Sequence, residues 1–178
     1  KAGNTSNTGT FAFTTATLAD GPHSVYVTAT DSAGNVSPQS TTRSFIVDTT
    51  PPAKPTITSP VNGAALNTNT PTITGTAEAN TTLFVYIDGA NFGSLTVNSS
   101  GLFSFKSSAL SNGLHSVYVQ AIDAGNNVSP QSDPKSFTVD TIPPTKPTVV
   151  TPANGAFTSS NKPTVTGAAE INSTVTIY

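Results

Sequence analysis

Nine acidic side chains and two histidines are the residues of this chain best suited to do chemistry. Their spacing has a pattern. Asp31 and Asp123, Asp48 and Asp140, and Glu78 and Glu170 each stand 92 residues apart, and so do His23 and His115. Asp20 aligns instead with Asn112, and Asp133 with Thr41, so these two acids do not recur. Each recurring carboxylate adjoins a turn or a Pro-rich stretch. Asp31 leads into Ser32-Ala33-Gly34-Asn35, Asp48 into Thr49-Thr50-Pro51-Pro52, and Glu78 into Ala79-Asn80. Carboxylates gathered with backbone and Asn carbonyls would form an all-oxygen site of the kind Ca2+ takes. The aspartates also suit a plainer role, Asp31 and Asp123 as Asx-turn residues and Asp48 and Asp140 as acceptors for backbone amides of the linker. The spacing leaves both readings open.

The rest of the inventory excludes more than it suggests. There is no Cys, hence no thiol nucleophile, disulfide or zinc-thiolate centre. No Gly-x-Ser-x-Gly elbow, His-Glu-x-x-His or phosphate loop occurs. A hydrolase built on paired carboxylates would need both acids in every repeat, so the chain is not expected to be an enzyme. Charged residues make up 9% and the net charge is -2, which leaves no basic patch for nucleic acid. No apolar run reaches the about 18 residues of a membrane helix. Lys1-Ala2-Gly3-Asn4 does not open a signal peptide, so the N-terminus reads as internal or processed. His23 is in phase with Val25 and Val27, and His115 with Val117 and Val119. With no acid at a matching spacing, both imidazoles read as structural. Tyr26 and Tyr118 are out of phase with those valines, so they face the other side of their strands.

The elements that must position these residues come from a repeat. Gly21-Pro22-His23-Ser24-Val25-Tyr26-Val27 returns as Gly113-Leu114-His115-Ser116-Val117-Tyr118-Val119, and Asn35-Val36-Ser37-Pro38-Gln39-Ser40 as Asn127-Val128-Ser129-Pro130-Gln131-Ser132. About half of the positions from Gly9 to Tyr86 are identical 92 residues later. The Pro-rich stretch 48–55 is the natural linker, because prolines fix φ and favour an extended, semi-rigid path. This gives the back half of one unit at 1–48, a complete unit with its linker at 49–140, and the front half of another at 141–178. Within the complete unit, short alternating runs rich in Val, Ile, Thr and Phe predict seven strands, over 55–59, 72–77, 82–88, 92–97, 102–106, 114–123 and 135–139. Turn signals separate them at Asn62-Gly63, Asp88-Gly89 and Asn112-Gly113. No window shows a helical period. The fold class is therefore all-β, a tandem of seven-stranded β-sandwiches of the Ig-like or fibronectin type.

Three segments carry a family resemblance. They are Thr74-Gly75-Thr76-Ala77-Glu78 with Val85-Tyr86-Ile87-Asp88-Gly89, then Leu110-Ser111-Asn112-Gly113-Leu114-His115, then Val139-Asp140-Thr141-Ile142-Pro143-Pro144. Together they resemble the bacterial Ig-like repeats of giant surface adhesins and other long extracellular proteins. In such domains the place after Leu-x-x-Gly-x is often a tyrosine that bonds the backbone of its corner, and His23 and His115 stand there as substitutes. The resemblance implies an extracellular or cell-surface location and neighbouring Ig-like repeats as the chief partners. It also implies Ca2+ at the junctions between repeats, held by Asp31, Asp48 and Glu78 at one and by Asp123, Asp140 and Glu170 at the next. Its functional expectation is a rod-like spacer in an adhesin or fibre, each repeat adding about 4 nm. The alternative is a filament subunit whose half repeats at 1–48 and 141–178 complete one another between chains. A carbohydrate-binding module would want an aromatic platform, and the absence of Trp argues against it.

Overall fold

A computed structural model describes Ser6 and residues 9–178. It contains twelve strands among the described residues and no helix. None of these residues lies in a helix long and apolar enough to cross a membrane.

The complete repeat is an eight-stranded sandwich. One layer holds β3 (Thr56–Ser59), β5 (Thr72–Thr76) and β8 (Leu102–Lys106) in the order β3-β5-β8. The other holds β4 (Ala64–Leu66), β10 (Lys135–Val139), β9 (Gly113–Ile122), β6 (Thr82–Ile87) and β7 (Ala90–Thr96) in the order β4-β10-β9-β6-β7. Seven of these are the strands expected from the alternation. The eighth, β4, is only three residues long and pairs in parallel with β10, Ala64 facing Phe137. Pairing with a strand so distant in sequence leaves no local signature, so alternation alone misses it. The chain crosses from one layer to the other over 60–63, where the Gly63 amide and the Asn62 side chain both bond Ser136.

Period-two patterning places the core between the layers. Leu83, Val85 and Ile87 of β6 and Val117, Val119 and Ala121 of β9 are fully buried, as are Ile73, Phe137 and Val139. Tyr86 and Tyr118 lie half-buried on the opposite face of the sheet, as their phase predicts. Gly75 lets the β3 backbone come close: a Cβ there would collide with the Thr56 carbonyl and stand 2.7 Å from the Phe103 ring.

The flanking segments repeat parts of this plan. β1 (Gly21–Val25) pairs antiparallel with β2 (Arg43–Val47) as β9 does with β10. β11 (Thr148–Thr151) pairs with β12 (Thr166–Ala168) as β3 does with β5, down to the same register shift. Their apolar side chains stay largely exposed.

Candidate functional site at the junctions

Each linker is held by side chains of the repeats on either side, through bonds that recur 92 residues apart. On the preceding side, Asp20 Oδ1 accepts from the Thr49 amide at 3.2 Å and the Thr49 hydroxyl at 2.8 Å, while Oδ2 accepts from the Thr50 hydroxyl at 2.9 Å. At the next junction Asn112 Oδ1 accepts from the Thr141 amide at 3.3 Å and its hydroxyl at 2.9 Å. On the following side, Glu78 Oε2 accepts from the Ala53 amide at 3.1 Å, and Glu170 Oε2 from the Thr145 amide at 2.9 Å. Both glutamates sit in turns of the same build. The Thr81 hydroxyl donates to the Glu78 carbonyl and the Ser173 hydroxyl to the Glu170 carbonyl, with Asn80 and Asn172 in the left-handed region that Asn tolerates. Asp48 and Asp140 each accept from an amide two residues on, Thr50 and Ile142, shaping the linker's first turn.

A further contact joins the first linker to the complete repeat. Asp123 closes the 123–127 loop by accepting from the Asn127 amide at 2.8 Å and its side chain at 3.0 Å. The Asn127 side chain also donates to the Asp48 carbonyl at 2.9 Å. Gly125 makes room, since a Cβ there would stand 3.0 Å from the Asp48 oxygen and 2.9 Å from Asn127 Nδ2. Lys54 adds an ion pair to Asp133 at 2.6 Å, both largely in solvent and hence of little energetic weight.

Charge responds to these bonds. The Thr49 and Thr50 hydroxyls and the Thr49 amide hold Asp20 below its usual range. The Asn35 side chain and amide do the same for Asp31. Partial desolvation pushes Asp123 upward, but the bonds from Asn127 and the Gly125 amide outweigh it and its pKa falls.

The geometry corrects the expected grouping of carboxylates. Gly113 pairs with Val139 at one end of β9, whereas Asp123 follows its other end. Asp123 and Asp140 therefore stand about 30 Å apart along the strand, at ~3.3 Å per residue. Asp31 and Asp48 are separated in the same way, because Gly21 pairs with Val47 and Asp31 lies ten residues further on. Neither triad, Asp31 with Asp48 and Glu78 or Asp123 with Asp140 and Glu170, is assembled around a point. What meets at the first linker is Glu78, the Asp123–Asn127 loop and the Asp48 backbone. Among the described residues no three of His, Asp and Glu stand close enough to share a metal ion.

The histidines lie where the corner reading puts them. His23 Nε2 is 2.8 Å from the Ala19 carbonyl and His115 Nε2 is 2.9 Å from the Ser111 carbonyl, each four residues back. Buried His115 has a second partner that the sequence did not suggest, Asp88 Oδ2 at 2.7 Å from Nδ1.

A β-sandwich joined through Pro-rich linkers to parts of two further repeats defines the class: Ig-like repeats. The bacterial Ig-like domain model matches residues 2–49 and 59–141, and the chain belongs to that family. No curated protein matches it. Among solved structures it is similar to fibronectin(III)-like modules of Clostridium thermocellum CbhA, with 23% identity over 48% of this chain and 95% of that one and a TM-score of 0.38. It is also similar to the BSP domain of a biofilm associated protein, with 20% identity, 71% and 20% coverage and a TM-score of 0.40. A third likeness is to a 1.5-MDa bacterial ice-binding adhesin, with 26% identity, 67% and 42% coverage and a TM-score of 0.35.

Proposed function

We propose that the chain is a non-catalytic spacer, a row of Ig-like repeats outside the bacterial cell that holds an adhesive or structural end away from the surface. The observation that carries this reading is the recurring clasp on the linker, Asp20 and Glu78 at the first junction and Asn112 and Glu170 at the second. A spacer must resist bending where its units join. Prolines already restrict the linker, and hydrogen bonds from both neighbours restrict it further. Each such bond contributes about 0.5–1.5 kcal/mol, and exposed ones fall at the low end, so the junction is stiffened rather than locked.

Small-angle X-ray scattering on the chain and on an Asp20→Ala, Glu78→Ala double variant tests the proposal. The expected result is an extended particle whose distance distribution broadens in the variant. Freely jointed units in the parent chain, with no change in the variant, would overturn it. Whether Ca2+ adds to the clasp is a separate question, decided by the same measurement with calcium and with chelator.

A further inference from the structure

We propose that Tyr86 and Tyr118 are an oxidative cross-linking site, a pair placed to become a dityrosine that ties β6 to β9. The two residues face each other directly across these strands. Their rings are nearly parallel, 7° between planes, with centroids 4.8 Å apart. That is a face-to-face stack rather than an edge-on contact, within the range of aromatic pairs. Both side chains are half-buried on the outer face of the five-stranded sheet, so part of each meets solvent while the two rings hold each other.

Composition directs oxidation to tyrosine, and the stack brings two tyrosines together. The chain has no Cys, Met or Trp, so the sulfur side chains that usually take up oxidising equivalents are missing. It has four tyrosines, and the other two, Tyr26 and Tyr178, stand 92 residues from Tyr118 and Tyr86. Both members of the pair are thus part of the repeat. Cross-strand packing alone would explain a stack, and the experiment below separates packing from reactivity.

The oxidant is of the haem-peroxidase class, driven by hydrogen peroxide. Each phenol gives up one electron and one proton. The two phenoxyl radicals then join through their ortho carbons. Each joined carbon releases its proton while its oxygen regains one, which restores both phenols. In sum, two ring C–H bonds break, one C–C bond forms, and one hydrogen peroxide is reduced to two waters. The product would fasten β9, the central strand of the sheet, covalently to its neighbour β6. The site stands whether or not the chain serves as a spacer.

The test is to treat the dilute chain with peroxidase and hydrogen peroxide, then digest with trypsin, which cuts after Lys106 and so separates the two tyrosines. The expected product is a monomeric chain lighter by two hydrogens, with dityrosine fluorescence and a cross-linked peptide pair containing Tyr86 and Tyr118. Tyr86→Phe and Tyr118→Phe should each abolish that peptide pair, with the ring packing kept and the far-UV spectrum unchanged. Tyr26→Phe and Tyr178→Phe should leave it intact. Dityrosine formed only between chains, or undiminished in Tyr118→Phe, would overturn the proposal, as would the absence of the linked peptide.

Discussion

The Asn127 side-chain amide donates to the Asp48 carbonyl at 2.9 Å and to its own loop's Asp123 carboxylate at 3.0 Å, so a loop of one repeat holds the end of the repeat before it. The contact depends on Gly125. Its backbone does not need glycine, since the matching position in the other copy is Ala33 and Gly125 is not in the left-handed region. What it needs is space. Gly125→Ala should therefore leave the sandwich as stable as before, within about 0.5 kcal/mol as for ordinary surface changes, while displacing Asn127 from Asp48. NMR relaxation reads this directly. The segments on either side of the linker should tumble more independently in the variant, and an unchanged profile would show that the Asn127 bond does not restrain the junction.

Glu78 tests the linker clasp and the calcium question together. Glu78→Gln keeps an oxygen acceptor for the Ala53 amide but removes the charge. If the clasp is a hydrogen bond, the Gln variant should match the parent in melting temperature. Glu78→Ala should lose at most about 1 kcal/mol, the net worth of one exposed bond. Neither should respond to EDTA. A parent chain whose melting temperature falls on chelation, with Glu78→Gln insensitive, would instead establish a calcium role for this carboxylate.

Much of this fold can be read in the sequence. Seven strands of the complete repeat follow from alternation and turn residues. Strand β4 does not follow, because Ala64–Leu66 gains its place from β10, some seventy residues away. The site was half legible. Recurrence pointed to Glu78 and Glu170, which do grip the linker. It passed over Asp20 because Asp20 aligns with Asn112, yet each presents its Oδ1 to the matching threonine, Thr49 or Thr141. The conserved quantity is an acceptor oxygen, and a search for charge does not see it. The grouping of acids failed for a different reason. Proximity in sequence to a linker does not say at which end of a ten-residue strand a residue lies. Asp88 was read only as part of a turn, and with Gly89 it does form one, both at positive φ. Its bond to His115 spans 27 residues and has no local signal.

Gly75→Ala should be among the most damaging single changes. Glycine here is not serving a turn. Its missing Cβ leaves room for the Thr56 carbonyl and for the Phe103 ring at 2.7 Å. A methyl group would have to part β3 from β5 or move a buried phenylalanine, and overpacking of this kind costs about 1–3 kcal/mol. Gly167 faces the Thr148 carbonyl in the same way. Chemical denaturation should show the loss in the midpoint with little change in slope. A midpoint within error of the parent would mean that the two strands separate easily.

The His115–Asp88 pair sets the last prediction, a dependence of stability on pH. Nε2 faces the Ser111 carbonyl and Nδ1 the Asp88 carboxylate, both of which only accept while Asp88 is ionised. The ring satisfies both by carrying two protons. Burial pulls its pKa down, but the Ser111 carbonyl and the Asp88 carboxylate outweigh that, and the net value lies above 6.5. For Asp88, desolvation is outweighed by the bonds from His115 and the Ser116 amide, and its pKa lies below 3.8. The signs then follow by linkage. A raised histidine pKa gives stability that is present below 6.5 and lost as pH rises through the shifted value. A lowered carboxylate pKa gives stability that is present above 3.8 and lost as pH falls through its shifted value. The pair should contribute most between these limits. Asp88→Asn places an uncharged amide beside the ring, whose N–H can donate to a bare Nδ1 while Nε2–H donates to the Ser111 carbonyl, so neutral His115 is satisfied as well. The loss of stability above pH 6.5 should flatten in that variant, with the fold retained. Melting temperatures of parent and Asp88→Asn across pH 4 to 9 check this, and parallel curves would show that the pair does not govern the alkaline limb.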